Sequence, residues 1–167
     1  MSGLVNLVAG VLTRDLRALR REIQAYPDEH DLWRAAPGIT NTGGNLALHL
    51  AGNLQHFIGR VLGHTDYVRN RDAEFSRRDV PRGELLDEID RAIAAVATGL
   101  ALLADKDLTV DFPEPIGKHR LSTTDALLQL MAHCAYHLGQ VDYHRRLVTG
   151  QTTTVGAMMP GELRSAK

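Results

Sequence analysis

This chain has one cysteine, Cys134, so no disulfide can form within it, which fits a reducing compartment. It has no excess of either charge: 19 basic residues stand against 20 acidic ones, for a formal net charge of −1. Bulk electrostatics therefore favour neither nucleic acid nor an anionic membrane as a partner. A long apolar run is missing too. AIAAVATGLALLA at 92–104 is shorter than the roughly 20 residues that a bilayer span needs. The opening GLVNLVAGVL has no Lys or Arg before it and no small-residue cleavage site after it. It reads as the start of the first helix, and a cytoplasmic protein is the expectation.

Familiar catalytic signatures are absent as well. There is no Gly-x-Ser-x-Gly, no P-loop and no dinucleotide fingerprint. A zincin has Glu directly after its first His, as general base, and here Cys134 follows His133. Di-iron bundles need Glu-x-x-His pairs, which this chain lacks.

What is present is helical periodicity. The 167 residues are enough for one domain with a real core. In the first segment Leu4, Leu7, Val8, Val11, Leu12, Leu19 and Ile23 recur at helical spacing, and Pro27 ends it. The second runs from about Asn41 to Leu62, with Asn41 or Thr42 as cap and Gly63 closing it. The third covers about 81–105, with Pro81 in its first turn. The fourth starts near Ser122 or Thr123 and ends near Thr149-Gly150. Between the last two, two prolines and short alternation allow a small hairpin or an extended loop. The 63–80 connection is long and charged, which often marks function. Arg14, Arg17, Arg20 and Arg21 alternate with acids and read as a solvated helix face. Four amphipathic segments without a sheet predict an all-α four-helix bundle over 1–150, followed by a loosely patterned tail at 151–167.

The fourth segment, LLQLMAHCAYHLGQVDYHRR, carries His133, His137 and His144. Residues i and i+4 share one helix face about 6 Å apart, so His133 and His137 can converge on one ion. The rival reading is two imidazoles bonded to carbonyls or water. His144 is about 16 Å of helix rise beyond His133, so it can line the same groove but not share an ion with both. On the second segment, His49 and His56 are about 10 Å apart, so at most one joins a mononuclear site. Cys134 falls beside the His face, toward the apolar side, where a buried inert thiol is expected.

PDEHDLW, NTGGNLALHLAGNLQHFIG at 41–59, RDAEF and MAHCAYHLGQVDYHRRL at 131–147 occur along the chain in that order. This set resembles the DinB-like (DinB/YfiT-like) superfamily of metal-dependent bundle proteins, over about residues 1–149. The resemblance implies a four-helix bundle with a long crossover connection. It also implies one divalent metal held by a His from the second helix and an H-x3-H from the fourth, which here are His49, His133 and His137. Zinc or nickel is the expected metal, with iron or manganese as alternatives. Asn53 and Gln140, each one turn beyond a ligand, are candidates to steady ligand rings, or are ordinary buried amides. Trp33 is either a pocket cover or a core plug. Members include thiol transferases and isomerases that use mycothiol or bacillithiol, and homodimers are common.

Three protein ligands leave a position open for substrate. Two chemistries follow: hydrolysis through activated water, or S-transfer from a low-molecular-weight thiol to a second small molecule. The non-enzymatic alternative is a metal-binding or dimerising stress-related bundle.

Overall fold

The computed structural model describes residues 3–163. Its long helices are α1 (Gly3–Ala25), α2 (Gly43–Leu54), α4 (Arg82–Ala101) and α5 (Thr123–Thr149), with a short α3 (Arg71–Ser76) between α2 and α4. The fold is an all-α bundle. α1 and α2 each pack against both α4 and α5 but make few contacts with each other, so they lie diagonally across the bundle. α3 rests on α2 inside the 63–80 connection, where the sequence shows only a charged loop.

The ends follow from local chemistry. Thr42 caps α2 by accepting from the Asn45 N–H, and Ser122 does the same for α5 at Asp125. α5 stops at Gly150, whose φ of 71° only glycine adopts cheaply. α4 ends at Ala101, short of the expected 105, and the chain turns through a 3-10 segment at Asp105–Leu108. The following loop is hairpin-like, with isolated bridges Asp111–Ser122 and Ile116–His119.

α2 runs into a π-helical turn, Gln55–Arg60, in which Val61 N–H bonds to the His56 carbonyl and Gly63 N–H to the Ile58 carbonyl. The apolar spacing does not reveal this widening. Here α2 lies close on α4: a Cβ on Gly59 would sit 3.0 Å from that of Ala95, and one on Gly99 would strike the Ile58 carbonyl. Every residue of α2 is buried, so it is the bundle's central rod.

The core joins Val5, Val8, Leu12, Leu16, Leu19 and Ile23 of α1 to aliphatic stripes on the other helices. Leu7, expected in that stripe, is exposed, and Val11 is half-buried. The arginine cluster differs from a solvated face. Arg14 is buried against Asp15, Arg20 pairs with Asp90, and Arg21 binds the Val155 carbonyl and Glu162. A fully buried pair, Arg145–Glu22, ties α5 to α1 at 2.5 Å. Arg145 also donates to Gln151 and to the Thr153 carbonyl. The tail is thus anchored by Arg145 at Gln151 and Thr153 and by Arg21 at Val155 and Glu162; its last residues, 164–167, lie outside the described ones.

Candidate metal centre

The central rod brings one imidazole, His49, up against two from α5. His49 Nε2 and His133 Nε2 are 3.1 Å apart. Ring centroids are 5.0 Å apart for His49–His133, 5.1 Å for His49–His137 and 4.5 Å for His133–His137. One nitrogen from each of the three lies within 4.8 Å of the others. The site is asymmetric: His49 is buried, while the two α5 histidines are half-buried.

What holds the rings bears on whether they suit a metal. Glu74 Oε2 stands 2.9 Å from His49 Nδ1. A carboxylate only accepts here, so Nδ1 carries the proton and Nε2 presents its lone pair inward. Gln140 Oε1 stands 2.6 Å from His137 Nδ1 and fixes that ring in the same way. His133 Nδ1 is buried and has no partner among the described residues. Two lone pairs aimed at a common point, backed by a carboxylate and an amide, are the outer arrangement that histidine metal ligands use. Metal–imidazole bonds of about 2.0–2.1 Å set neighbouring ligand nitrogens ~3.3 Å apart in a tetrahedral site, close to the 3.1 Å between His49 and His133 Nε2. The donor set fits a divalent borderline metal.

Glu74 is placed by several neighbours. Asn70 caps α3, and Asn45 of α2 donates to the carbonyls of Glu74 and Arg77, binding α3 to the rod. Gly52 leaves the slot the carboxylate occupies, since a Cβ there would run into Glu74 Oε1. Arg69 grips both carboxylate oxygens, at 2.7 and 2.9 Å. Burial disfavours the charge on Glu74, but the bonds from His49 and Arg69 outweigh it and hold the carboxyl below its usual range. Burial, with His137 and His49 adding to it, pushes the His133 imidazole down to about 4. Burial also lowers His137, against the opposing bond to Gln140. Both α5 rings are therefore neutral near pH 7, as ligands must be.

Glu74 and Arg69 escape the sequence reading. The available signals were the charged 63–80 connection and the RDAEF motif; no helical spacing links Glu74 to a histidine on another helix. The Asn53 side chain does not bond the His49 ring: its buried Oδ1 has no hydrogen-bond partner among the described residues. Trp33 is a core plug: its ring would be only 2.6 Å from a Cβ on Gly44. Cys134 is fully buried, and burial beside Asp15 pushes its thiol up to about 12, so it is inert.

The remaining histidines are elsewhere. His56 pairs with Glu114 at 2.9 Å, His30 sits in the 3-10 helix Glu29–Trp33, and His64 and His119 lie in the connections. His144 is buried and fully engaged. Its Nε2–H donates to the Arg34 carbonyl at 2.9 Å, and its Nδ1 accepts from Tyr26 Oη at 2.7 Å. Gly43 makes this possible, because a Cβ there would collide with the tyrosine oxygen.

An all-α bundle with three converging histidines defines a class of protein able to bind a metal ion. A family model described as mycothiol S-transferase matches residues 7–150, and the chain belongs to that family, within the DinB/YfiT-like superfamily. Comparison with curated proteins gives no match. Among the described residues, no helix is long and apolar enough to cross a membrane.

Proposed function

We propose that this protein is a metal-dependent thiol S-transferase, in which His49, His133 and His137 hold one divalent ion, zinc or nickel. The observation that carries the reading is the convergence of these three imidazoles with their inner nitrogens facing one another. The family match favours S-transfer over hydrolysis and points to mycothiol as the thiol. Three protein ligands leave room for a fourth, and the ion, when bound, lowers the pKa of a thiol offered there.

The chain's own residues do the rest. Glu74 and Gln140 keep two rings in the ligating tautomer. Arg69 keeps Glu74 ionised and in place. Phe75, 4.8 Å from His49, and Tyr136, 5.2 Å from His137, flank the cluster with aromatic walls. The reading also includes a cytoplasmic homodimer, which sedimentation of the purified protein checks.

The test is metal content by plasma mass spectrometry on untagged protein, alongside mycothiol consumption with a fluorogenic alkylating electrophile. Near one metal per chain, and thiol conjugation that chelation abolishes, is the expected result. Full metal occupancy without conjugation to any electrophile would leave a metal-binding bundle and overturn the transferase reading.

A further inference from the structure

Two cavities that differ in chemistry reach the histidine cluster only through side chains that touch it, Phe75 against His49 and Gln140 against His137. One, of about 530 Å³, is open and includes Arg71, Asp72, Phe75 and Ser76, so charges of both signs face it. The other, of about 300 Å³, lies one to two turns farther along α5, where Gln140, Tyr143, His144 and Leu147 face Ile39 and Leu46. No charged side chain lines this second cavity. Its one titratable imidazole, His144, has both nitrogens occupied by Arg34 and Tyr26, so it offers only ring carbon to a guest. The two cavities share Asn41, and Gln140 links the uncharged one to His137.

We infer that the uncharged cavity is the subsite for the apolar body of the electrophile, and that it selects molecules whose reactive carbon is separated from an aliphatic tail by about 5–10 Å, one to two helical turns. This rests on the transferase reading above. A low-molecular-weight thiol is polar and suits the charged cavity, whereas the uncharged one, where Ile39, Leu46 and Leu147 stand beside the polar Thr40, Asn41, Gln140 and Tyr143, has no ion to pair with a charged group. A 2-alkenal is a suitable substrate class. The thiol sulfur bonds to the β carbon as the carbon–carbon π bond breaks, and the thiol proton ends on the α carbon, so nothing else is consumed or released. Each methylene that enters an apolar cavity strengthens binding about fourfold.

The experiment has two arms on the metal-loaded protein. In the first, 1-heptanol is titrated against methyl-labelled protein; the Ile39, Leu46 and Leu147 methyls are expected to shift. In the second, kcat/KM for mycothiol addition is measured from but-2-enal to non-2-enal. It is expected to climb up to about fourfold per methylene until the cavity is full. Leu147→Glu and Ile39→Glu, both at exposed positions that tolerate change, should flatten that climb while metal content and helicity hold. A flat series with unmoved methyls overturns the subsite and leaves the transferase reading standing. Shifted methyls with no catalysed addition of any alkenal overturn the alkenal subsite and leave an apolar binding site; only if the fluorogenic electrophile also goes unconjugated does the transferase reading fall with it. Methyls that move with protein concentration but not with heptanol make this face a contact between copies, which also overturns the subsite.

Discussion

α5 carries two histidine regions that differ in how completely the protein satisfies them. Around His133 and His137 the rings are half-buried, one nitrogen has no partner, and lone pairs point at a shared space. Two turns on, His144 is buried with both nitrogens bonded, next to Arg145, whose guanidinium donates to Glu22, Asp142, Gln151 and the Thr153 carbonyl. The first region keeps bonding capacity free for a ligand. The second has spent its capacity on joining α1, the Arg34 loop and the tail. Identical side chains on one helix thus serve different ends, according to what the neighbouring elements leave unpaired.

The contrast breaks most visibly at the ligands. His137→Ala and His49→Ala are expected to reduce bound metal from near one per chain to background, with helicity unchanged by circular dichroism. His144→Ala should keep its metal, and metal loss in that variant alone would reassign the ligands. In the satisfied region, Arg145→Ala leaves Glu22 buried without its cation and should cost about 3–5 kcal/mol by urea unfolding, with metal stoichiometry intact. Glu74→Gln retains the shape but loses the carboxylate on His49. Metal affinity by competition with a chelating dye should fall about 10- to 100-fold, with some loss of stability because Arg69 is left without its carboxylate.

The smallest effect is in pH. Burial lowers the His144 pKa, against the opposing bond to the Arg34 carbonyl. The unfolded chain then binds more protons than the folded one. The His144 contribution is complete above the ordinary histidine value of about 6.5 and is lost as pH falls through the lower folded value. His133 and His137 act in the same direction. In metal-free protein, His144→Gln should flatten the decline in stability below about pH 6.5 without removing it. An unchanged slope would show that His144 titrates freely.

Much of this was legible because helices write their own periodicity. The four long segments, the Thr42 and Ser122 caps and the Gly150 stop all depend on residues within a turn or two of one another. So does the pairing of His133 with His137, which the i, i+4 rule places on one face. The choice of His49 over His56 came from motif resemblance, since spacing left the two equal. Asn53 and Gln140 show how far that reasoning extends. Each lies one turn past a histidine, yet only Gln140 hydrogen-bonds that ring, while on α2 the partner of His49 comes from α3.

The sequence by itself determined the helices, their capped ends and the set of imidazoles available, because those follow from interactions over three or four residues. Only the tertiary structure decided that Glu74 and Arg69 back His49, that Arg14 and Arg145 are buried, and that His144 belongs to the core. Those outcomes depend on close approach between segments distant in the chain, and that approach is controlled by the small gaps at Gly43 and Gly52. No local pattern records which side chain will fill such a gap, because the filling residue arrives from another element.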